Sequence, residues 1–253
     1  MTPLNLLAQA SQLEYVLNHS DATIIFVTPD QLERLNAALV NVAREIQIVV
    51  CDVDAEEFIA APDRIAEMPP VSEEHDALMM YTSGTTGKPK GVVLTNRSVV
   101  SGGQFVSAAH ELGPQDRVMA SLPLYHINAQ IVTATAPLVH GGSLVLPHRF
   151  GVSNFWSLVA RYQCSWINLV PTMISYLLNG QEAAKKMIWI SAASASAVRL
   201  PLRCRPASIV LLKTGSKIGV IETMGLTETA APCFTNPLES AQRKIGSPGQ
   251  AFW

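Results

Sequence analysis

The chain has 253 residues, a net charge of −2 and only 15% charged residues against 48% hydrophobic ones. This composition predicts one large globular domain or two small ones, and it argues against general disorder and against nucleic-acid binding as the main role. Four widely separated cysteines without a C-x-x-C pair disfavour a zinc site and fit a reducing compartment. Neither a signal peptide nor a membrane-spanning run is recognised, so we predict a cytoplasmic protein without a transmembrane segment.

The first third of the chain alternates helix and strand signals. Apolar residues at helical spacing predict a short helix over 10–19. The β-branched runs 23–28 and 46–51 predict two buried strands, with a helix that begins after Pro29 between them. An acidic, proline-bearing surface excursion then leads to a third strand, 77–82, which runs into a glycine-rich turn.

The same alternation continues along the rest of the chain. We predict helices that begin near Asn96 and at Pro171, an apolar helical stretch over 127–139, and strands over 117–121, 143–146 and 166–170. Alternation of this kind is typical of α/β proteins whose mainly parallel sheets are flanked by helices.

One segment departs from this pattern. Between Ala183 and Ile221 there is no Asp or Glu, although seven of the eighteen Lys and Arg residues lie there. Residues 189–217 show neither a helical nor a strand period and form an anomalous segment. An irregular basic surface loop and a segment altered by a local frameshift are both open interpretations.

The most informative motif is the run YTSGTTGKPKG, residues 81–91. Its glycines let the backbone approach a ligand closely, and consecutive N–H groups in such a loop bind anions. Hydroxyl groups donate to phosphate oxygens, and two lysines add positive charge. The run therefore predicts a polyphosphate site, whereas a solvated turn between strands is the less favoured interpretation.

Three better-known nucleotide or catalytic motifs are excluded by spacing. The run lacks the G-x-x-x-x-G-K-[ST] spacing of a Walker loop, and a proline follows Lys88. Neither the G-x-G-x-x-G of dinucleotide folds nor the G-x-S-x-G of α/β-hydrolases occurs in the sequence.

YTSGTTGKPKGVVLTNRSV closely resembles the phosphate-loop signature of the acyl-adenylate-forming enzymes, which include the acyl-CoA synthetases. Three further stretches are similar to family segments in the same order: LPLYHINAQ, MGLTE and IGSPGQAF. The resemblance implies part of that family's large N-terminal domain. It also implies ATP, Mg²⁺ and CoA as cofactor or co-substrates, with a small-molecule carboxylate of unspecified identity as substrate.

The resemblance also implies roles for individual residues. Nucleotide binding falls on the loop and on the MGLTE stretch: Thr82, Ser83, Gly84, Thr85, Thr86, Gly87, Lys88, Lys90, Met224, Gly225 and Thr227. Thr227 is expected at the α-phosphate, Glu228 at Mg²⁺ and His126 at the border of the acyl pocket, and these three form the expected catalytic set. His126 alone would more often be a core histidine.

The sequence departs from the family at several points. Met224 stands where relatives have an aromatic residue against adenine, and a thioether can still pack on a purine. We expect residues 1–253 to be a partial N-terminal domain that stops before the ribose-binding aspartate, the hinge and the small C-terminal domain with its catalytic lysine. Whether this chain is an active ligase impaired by truncation, an inactive nucleotide-binding fragment or an interaction module stays open at this point.

Overall fold

The structure is a computed structural model that divides into two compact units, Met1–Thr95 and Asn96–Trp253. Each unit is described by itself. The residues described are 1–5, 7–52, 54–55, 67, 69–82, 88–179, 198–201, 220–230, 232–244 and 246–251. Within them, the predicted α/β class with a mainly parallel sheet flanked by helices is confirmed.

Helices and strands alternate as the sequence predicts over residues 10–50 and 96–179. The helices are α1 (Ala10–His19), α2 (Leu32–Leu39), α3 (Asn96–Ala109), α4 (Ala136–His140), α5 (Phe155–Arg161) and α6 (Pro171–Asn179). A π-helix, Asn128–Thr135, runs into α4, and short 3₁₀ turns occupy Pro29–Gln31, Thr227–Thr229 and Ser240–Gln242. The strands are β1 (Ile24–Val27), β2 (Gln47–Val50), β3 (Asp76–Thr82), β4 (Lys90–Thr95), β5 (Arg117–Ala120), β6 (Ser143–Val145), β7 (Trp166–Asn168), β8 (Val198–Pro201), β9 (Val220–Gly225), β10 (Pro232–Thr235) and β11 (Gln250–Ala251).

In the first unit, β1 and β2 pair in parallel, and α1 packs against α2. The small core joins Leu13, Leu17, Ile25 and Leu35. The prediction that both strands are buried is wrong, since Phe26 is 71% exposed and β2 has no buried residue. Only one face of this pair contributes to the core of the described residues, so alternate side chains of β1 face outward.

The first unit also contains a hairpin that the sequence analysis only half predicted. β3 pairs antiparallel with β4, and Thr82 lies opposite Lys90 in the register. The run KGVVLT of β4 is rich in β-branched residues, which favour a strand, although no strand is predicted there from the sequence. The hydroxyl-rich motif is therefore the connection between two paired strands.

The second unit is built on a seven-stranded sheet of order β11-β10-β9-β8-β7-β5-β6. The strands from β6 to β9 are parallel, and β10 and β11 add an antiparallel edge. Trp166 and Met119 are almost fully buried in this unit, and Phe155 and Ile174 bring α5 and α6 onto the core. The MGLTE motif begins at Met224, within the carboxyl end of β9.

The anomalous segment 189–217 contains a strand, although its sequence shows neither a helical nor a strand period. β8 pairs in parallel with β7 on one side and with β9 on the other. The sequence VRLP contains an arginine and a proline and gives no periodic strand signal. Pairing with a neighbouring strand on each side determines the structure here. The rest of that segment lies outside the described residues.

None of the helices in the described ranges is both long and apolar enough to cross a bilayer.

Cys164 provides a first prediction. Burial raises the pKa of its thiol to about 11, and the residue is 3% exposed. Cys51 and Cys233 are only half-buried. Because the thiolate is the reactive form, we expect iodoacetamide at pH 8 to alkylate Cys164 at least about a hundred-fold more slowly than Cys51 in the native chain, and at a similar rate in urea. Residue-resolved mass spectrometry measures both rates, and equal native rates would contradict the buried position.

Candidate active site

The β3–β4 hairpin presents the predicted phosphate-binding residues. Thr82 is half-buried at the end of β3, and Lys88 and Lys90 are exposed at the start of the returning strand. Ser83, Gly84, Thr85, Thr86 and Gly87 lie outside the described residues. The antiparallel register thus fixes both ends of the connection and brings a hydroxyl and two ammonium groups to the same end of the hairpin.

Tyr81 anchors the strand that enters this loop. Its hydroxyl lies 2.7 Å from His19 Nδ1, and the His19 ring stacks on Tyr15. Burial raises the pKa of the Tyr81 phenol, and the His19 tautomer sets which of the two groups donates. Sequence analysis missed this anchor, because the two residues are far apart in the chain and belong to no shared motif.

The MGLTE motif forms the end of β9 and a single 3₁₀ turn. Gly225 pairs with Pro232 of β10, and the Leu226 N–H donates to Thr229 Oγ1 at 3.0 Å. Ala230 closes the turn with a left-handed φ of 58° and a buried methyl group. This turn holds Thr227 half-buried and Glu228 exposed, so both predicted functional side chains lie on one tight, internally bonded segment.

A buried polar group ties the following glycine-proline stretch to β9. The Glu222 carboxylate is 8% exposed and accepts the Gly246 N–H at 2.9 Å and 3.1 Å through its two oxygens. Asn236 adds a second link, since its Nδ2 donates to the Ser247 carbonyl oxygen at 2.6 Å. Neither residue was predicted, although a glutamate inside an apolar strand is itself a signal of a buried hydrogen-bonded carboxylate.

His126 lies just before the π-helix. Its carbonyl oxygen accepts the Gln130 N–H at 3.1 Å, and its ring lies 4.5 Å from that of Tyr125. Desolvation by neighbouring atoms lowers the pKa of the imidazole, because it disfavours the charged form. The residue itself is exposed.

A small cavity separates the start of the π-helix from the end of β9. It is lined by Ile127, Asn128, Val132, Thr223, Gly225, Leu226, Ala230 and Pro232, and its volume is about 40 Å³. Within the second unit, the structure thus brings the residues that follow His126 beside Gly225 of the MGLTE motif. Most of the wall is apolar, as in small-molecule sites with a few orienting polar groups.

Asn128 and Asn168 form a polar pair next to this cavity. Asn168 ends β7 and is 1% exposed, and its Nδ2 donates to Asn128 Oδ1 at 2.6 Å. The sequence analysis missed both residues, because no motif marks them. An asparagine within the apolar strand run WINLV is the one signal that could have pointed to a buried polar contact.

The described residues can hold Mg²⁺ through a carboxylate that acts together with substrate phosphates. They contain no group of three His, Cys, Asp or Glu side chains that could surround an ion. Mg²⁺ commonly binds one or two protein carboxylates together with substrate phosphates and water. Glu228 is an exposed carboxylate and therefore fits Mg²⁺ that binds together with ATP. The described residues do not form a metal site made of protein ligands alone.

Comparison with known proteins gives relatives over almost the whole chain. The sulfoacetate–CoA ligase of Cupriavidus necator (strain H16) is 49% identical over 256 residues, which cover 99% of this chain and 49% of that enzyme. The chain therefore spans about half the length of the curated relatives it matches.

Solved structures with the same fold include an anthranilate–CoA ligase in complex with anthranoyl-AMP (TM-score 0.86, 20% identity, 99% of this chain and 49% of that one). The N-terminal domain of FACL13 from Mycobacterium tuberculosis also matches (TM-score 0.85, 24% identity, 99% of this chain and 62% of that one). At these identities the likeness establishes the fold alone.

The family profile of AMP-binding enzymes matches residues 1–253 without interruption. The resemblance inferred from the phosphate loop is thereby confirmed, and this chain belongs to the AMP-binding enzyme family.

Proposed function

We propose that this chain carries the ATP- and acid-binding part of an AMP-forming CoA ligase, and that sulfoacetate is the acid. The observation that carries the proposal is the 49% identity to the Cupriavidus necator sulfoacetate–CoA ligase, which extends over 99% of the chain and includes both described ends of the phosphate loop.

The proposed reaction has two steps. A carboxylate oxygen of the acid attacks the α-phosphorus of ATP, the bond to the β-phosphate oxygen breaks, and pyrophosphate leaves. The thiol sulfur of CoA then attacks the acyl carbon and loses its proton to solvent, and AMP departs with the former carboxylate oxygen. A carrier-protein thiol is the alternative acceptor.

The chain's own residues hold ATP in this proposal. The hydroxyls of Thr82, Ser83, Thr85 and Thr86, the N–H groups at Gly84 and Gly87, and the ammonium groups of Lys88 and Lys90 bind the β- and γ-phosphates. Such a site stabilises charge by position and needs no proton transfer.

The MGLTE turn serves the other end of the nucleotide in this proposal. Met224 packs on adenine beside Gly225, and Thr227 donates its hydroxyl to the α-phosphate. Glu228 holds Mg²⁺, which neutralises phosphate charge when bound. His126 borders the acid in this proposal.

We propose that residues 1–253 form part of the family's N-terminal domain and that the protein is cytoplasmic. The separated cysteines support this compartment, as do the free thiols of Cys51, Cys164 and Cys233 among the described residues. Fractionation of the native host, with immunodetection in the soluble cytoplasmic fraction, tests it. Recovery in a periplasmic or membrane fraction would contradict it.

The function is tested in two arms. Calorimetry measures Mg-ATP binding by the chain, and a coupled assay measures pyrophosphate release with sulfoacetate, acetate, propionate and malonate. We expect measurable Mg-ATP binding, with slow turnover by the chain alone. Turnover with sulfoacetate should rise when the remaining part of the Cupriavidus necator ligase is added as a separate polypeptide. Absence of Mg-ATP binding would contradict the proposal.

A further inference from the structure

We propose that Asn128 recognises the end of the acid that is not activated, and that Asn168 is the positioning residue that orients it. The Asn128 amide N–H donates to a second acceptor group on the substrate, so the substrate class is short carboxylic acids that carry another oxyanion, such as a sulfonate. This inference rests on the proposed function and adds to it the residue that selects the acid.

The cavity places Asn128 where an acid of this kind would lie. Ile127, Asn128 and Val132 come from the start of the π-helix, and Gly225, Leu226 and Ala230 come from the β9 end and its turn. Its volume of about 40 Å³ is enough for a few water-sized groups. π-helical turns are rare and occur frequently at functional sites.

The hydrogen bond from Asn168 decides which end of the Asn128 amide is available. Asn128 Oδ1 is occupied, because it accepts Asn168 Nδ2 at 2.6 Å. Asn128 is half-buried, and its Nδ2 has no hydrogen-bond partner among the residues described. That nitrogen is not among the fully buried polar atoms that lack a partner. The donor of this amide therefore reaches accessible space.

The opposite orientation of both amides is less favourable. In the observed arrangement one buried acceptor, Asn168 Oδ1, lacks a partner among the described residues. Flipping both side chains would instead leave the Asn168 NH₂ group buried without an acceptor. Orphaned buried N–H groups are rarer in proteins than under-satisfied carbonyl groups. The pair thus presents a donor, which selects an acceptor on the ligand.

A presented donor discriminates strongly between acids. An oxyanion satisfies the Asn128 amide, whereas an alkyl group of the same shape desolvates it and leaves it unpaired. A partly buried Asn–Asn pair beside a mostly apolar wall costs stability that two apolar residues would not. Substrate selection accounts for that cost.

The test compares two acids of similar shape, sulfoacetate and 3,3-dimethylbutyrate. Calorimetry measures both dissociation constants for the full chain saturated with Mg²⁺ and α,β-methylene ATP, which cannot be cleaved at that bond. We expect the parent to prefer sulfoacetate. Asn128→Leu and the isosteric Asn128→Asp should each weaken sulfoacetate binding by about ten- to a hundred-fold, and Asn128→Leu should leave 3,3-dimethylbutyrate binding unchanged.

Asn168→Leu tests the positioning role through the same ratio of dissociation constants. If Asn168 orients the Asn128 amide, its loss lowers the preference for sulfoacetate. If Asn168 is merely structural, its loss weakens the binding of both acids in proportion. Asn41→Leu, an exposed site in the first unit, is the control. Retained nucleotide affinity confirms that each variant is folded. If Asn128→Leu does not fold, the result for Asn128→Asp decides the test.

The outcomes separate the two proposals. A parent that binds the nucleotide but prefers 3,3-dimethylbutyrate, or Asn128 variants with an unchanged ratio, overturns the inference and leaves the proposed function standing. A parent that binds neither nucleotide nor acid overturns the proposed function, and the inference falls with it.

Discussion

Replacement of Gly249 by alanine should destabilise the second unit by about 3–5 kcal/mol, which is at the upper end for a single substitution. Gly249 has a φ of +94°, a conformation that L side chains rarely adopt and that alone costs about 1–3 kcal/mol. An added Cβ would also fall far inside van der Waals contact of the Thr235 carbonyl oxygen and the Asn236 nitrogen. Backbone atoms of β10 cannot move aside as a flexible side chain can.

Gly113→Ala is the matched control for this experiment. Gly113 lies in the same unit, and a Cβ at that position would meet nothing within 4 Å. We expect its effect to be within about 0.5 kcal/mol of the parent. Urea unfolding followed by fluorescence of the buried Trp156 and Trp166 measures both variants. Equal stabilities of the two variants would show that the close approach of Gly249 to β10 does not exist.

Glu228→Gln should weaken Mg-ATP binding by at least about ten-fold, because even groups that only support a metal ligand contribute 10–100-fold to metal affinity. The amide keeps the shape of the carboxylate but loses the charge that Mg²⁺ requires. Glu228 is exposed and makes no hydrogen bond or ion pair with other described residues, so the change should leave folding intact.

The magnesium dependence of this effect is its specific signature. Calorimetric titrations with and without Mg²⁺ should differ for the parent and converge for Glu228→Gln. Glu111→Gln, also at an exposed glutamate of the second unit, should behave as the parent does. A Glu228→Gln variant that keeps the full magnesium dependence would remove this residue from the metal site.

Local patterns predicted much of the fold. The helix over 10–19 and the strand that runs into the phosphate loop lie where apolar spacing placed them. The exposure of β1 and β2 could not be predicted in this way, because an apolar run does not reveal how many of its faces are covered. β8 was missed because its partners in the sheet, and not its own composition, determine its structure.

The candidate site was predictable where a motif carries it. Resemblance to a family segment predicts roles for Thr227 and Glu228, and the structure places both on one 3₁₀ turn, with Thr227 half-buried and Glu228 exposed. Asn128 and Asn168 lie 40 positions apart and meet only in the folded chain, so no spacing rule identifies them. The groups proposed to select the acid are thus visible only in three dimensions.

The central claim is that the hydroxyl-rich loop after β3 binds the triphosphate of ATP. Calorimetry of Mg-ATP binding to the parent and to the Thr85→Val, Thr86→Val double variant tests it most directly, with Thr172→Val on the exposed face of α6 as the control. Valine keeps the shape of threonine and removes the donated hydroxyl hydrogen bonds, so we expect at least about a ten-fold loss of affinity in the double variant only. Equal affinity of parent and double variant, or no measurable binding by the parent, would contradict the account.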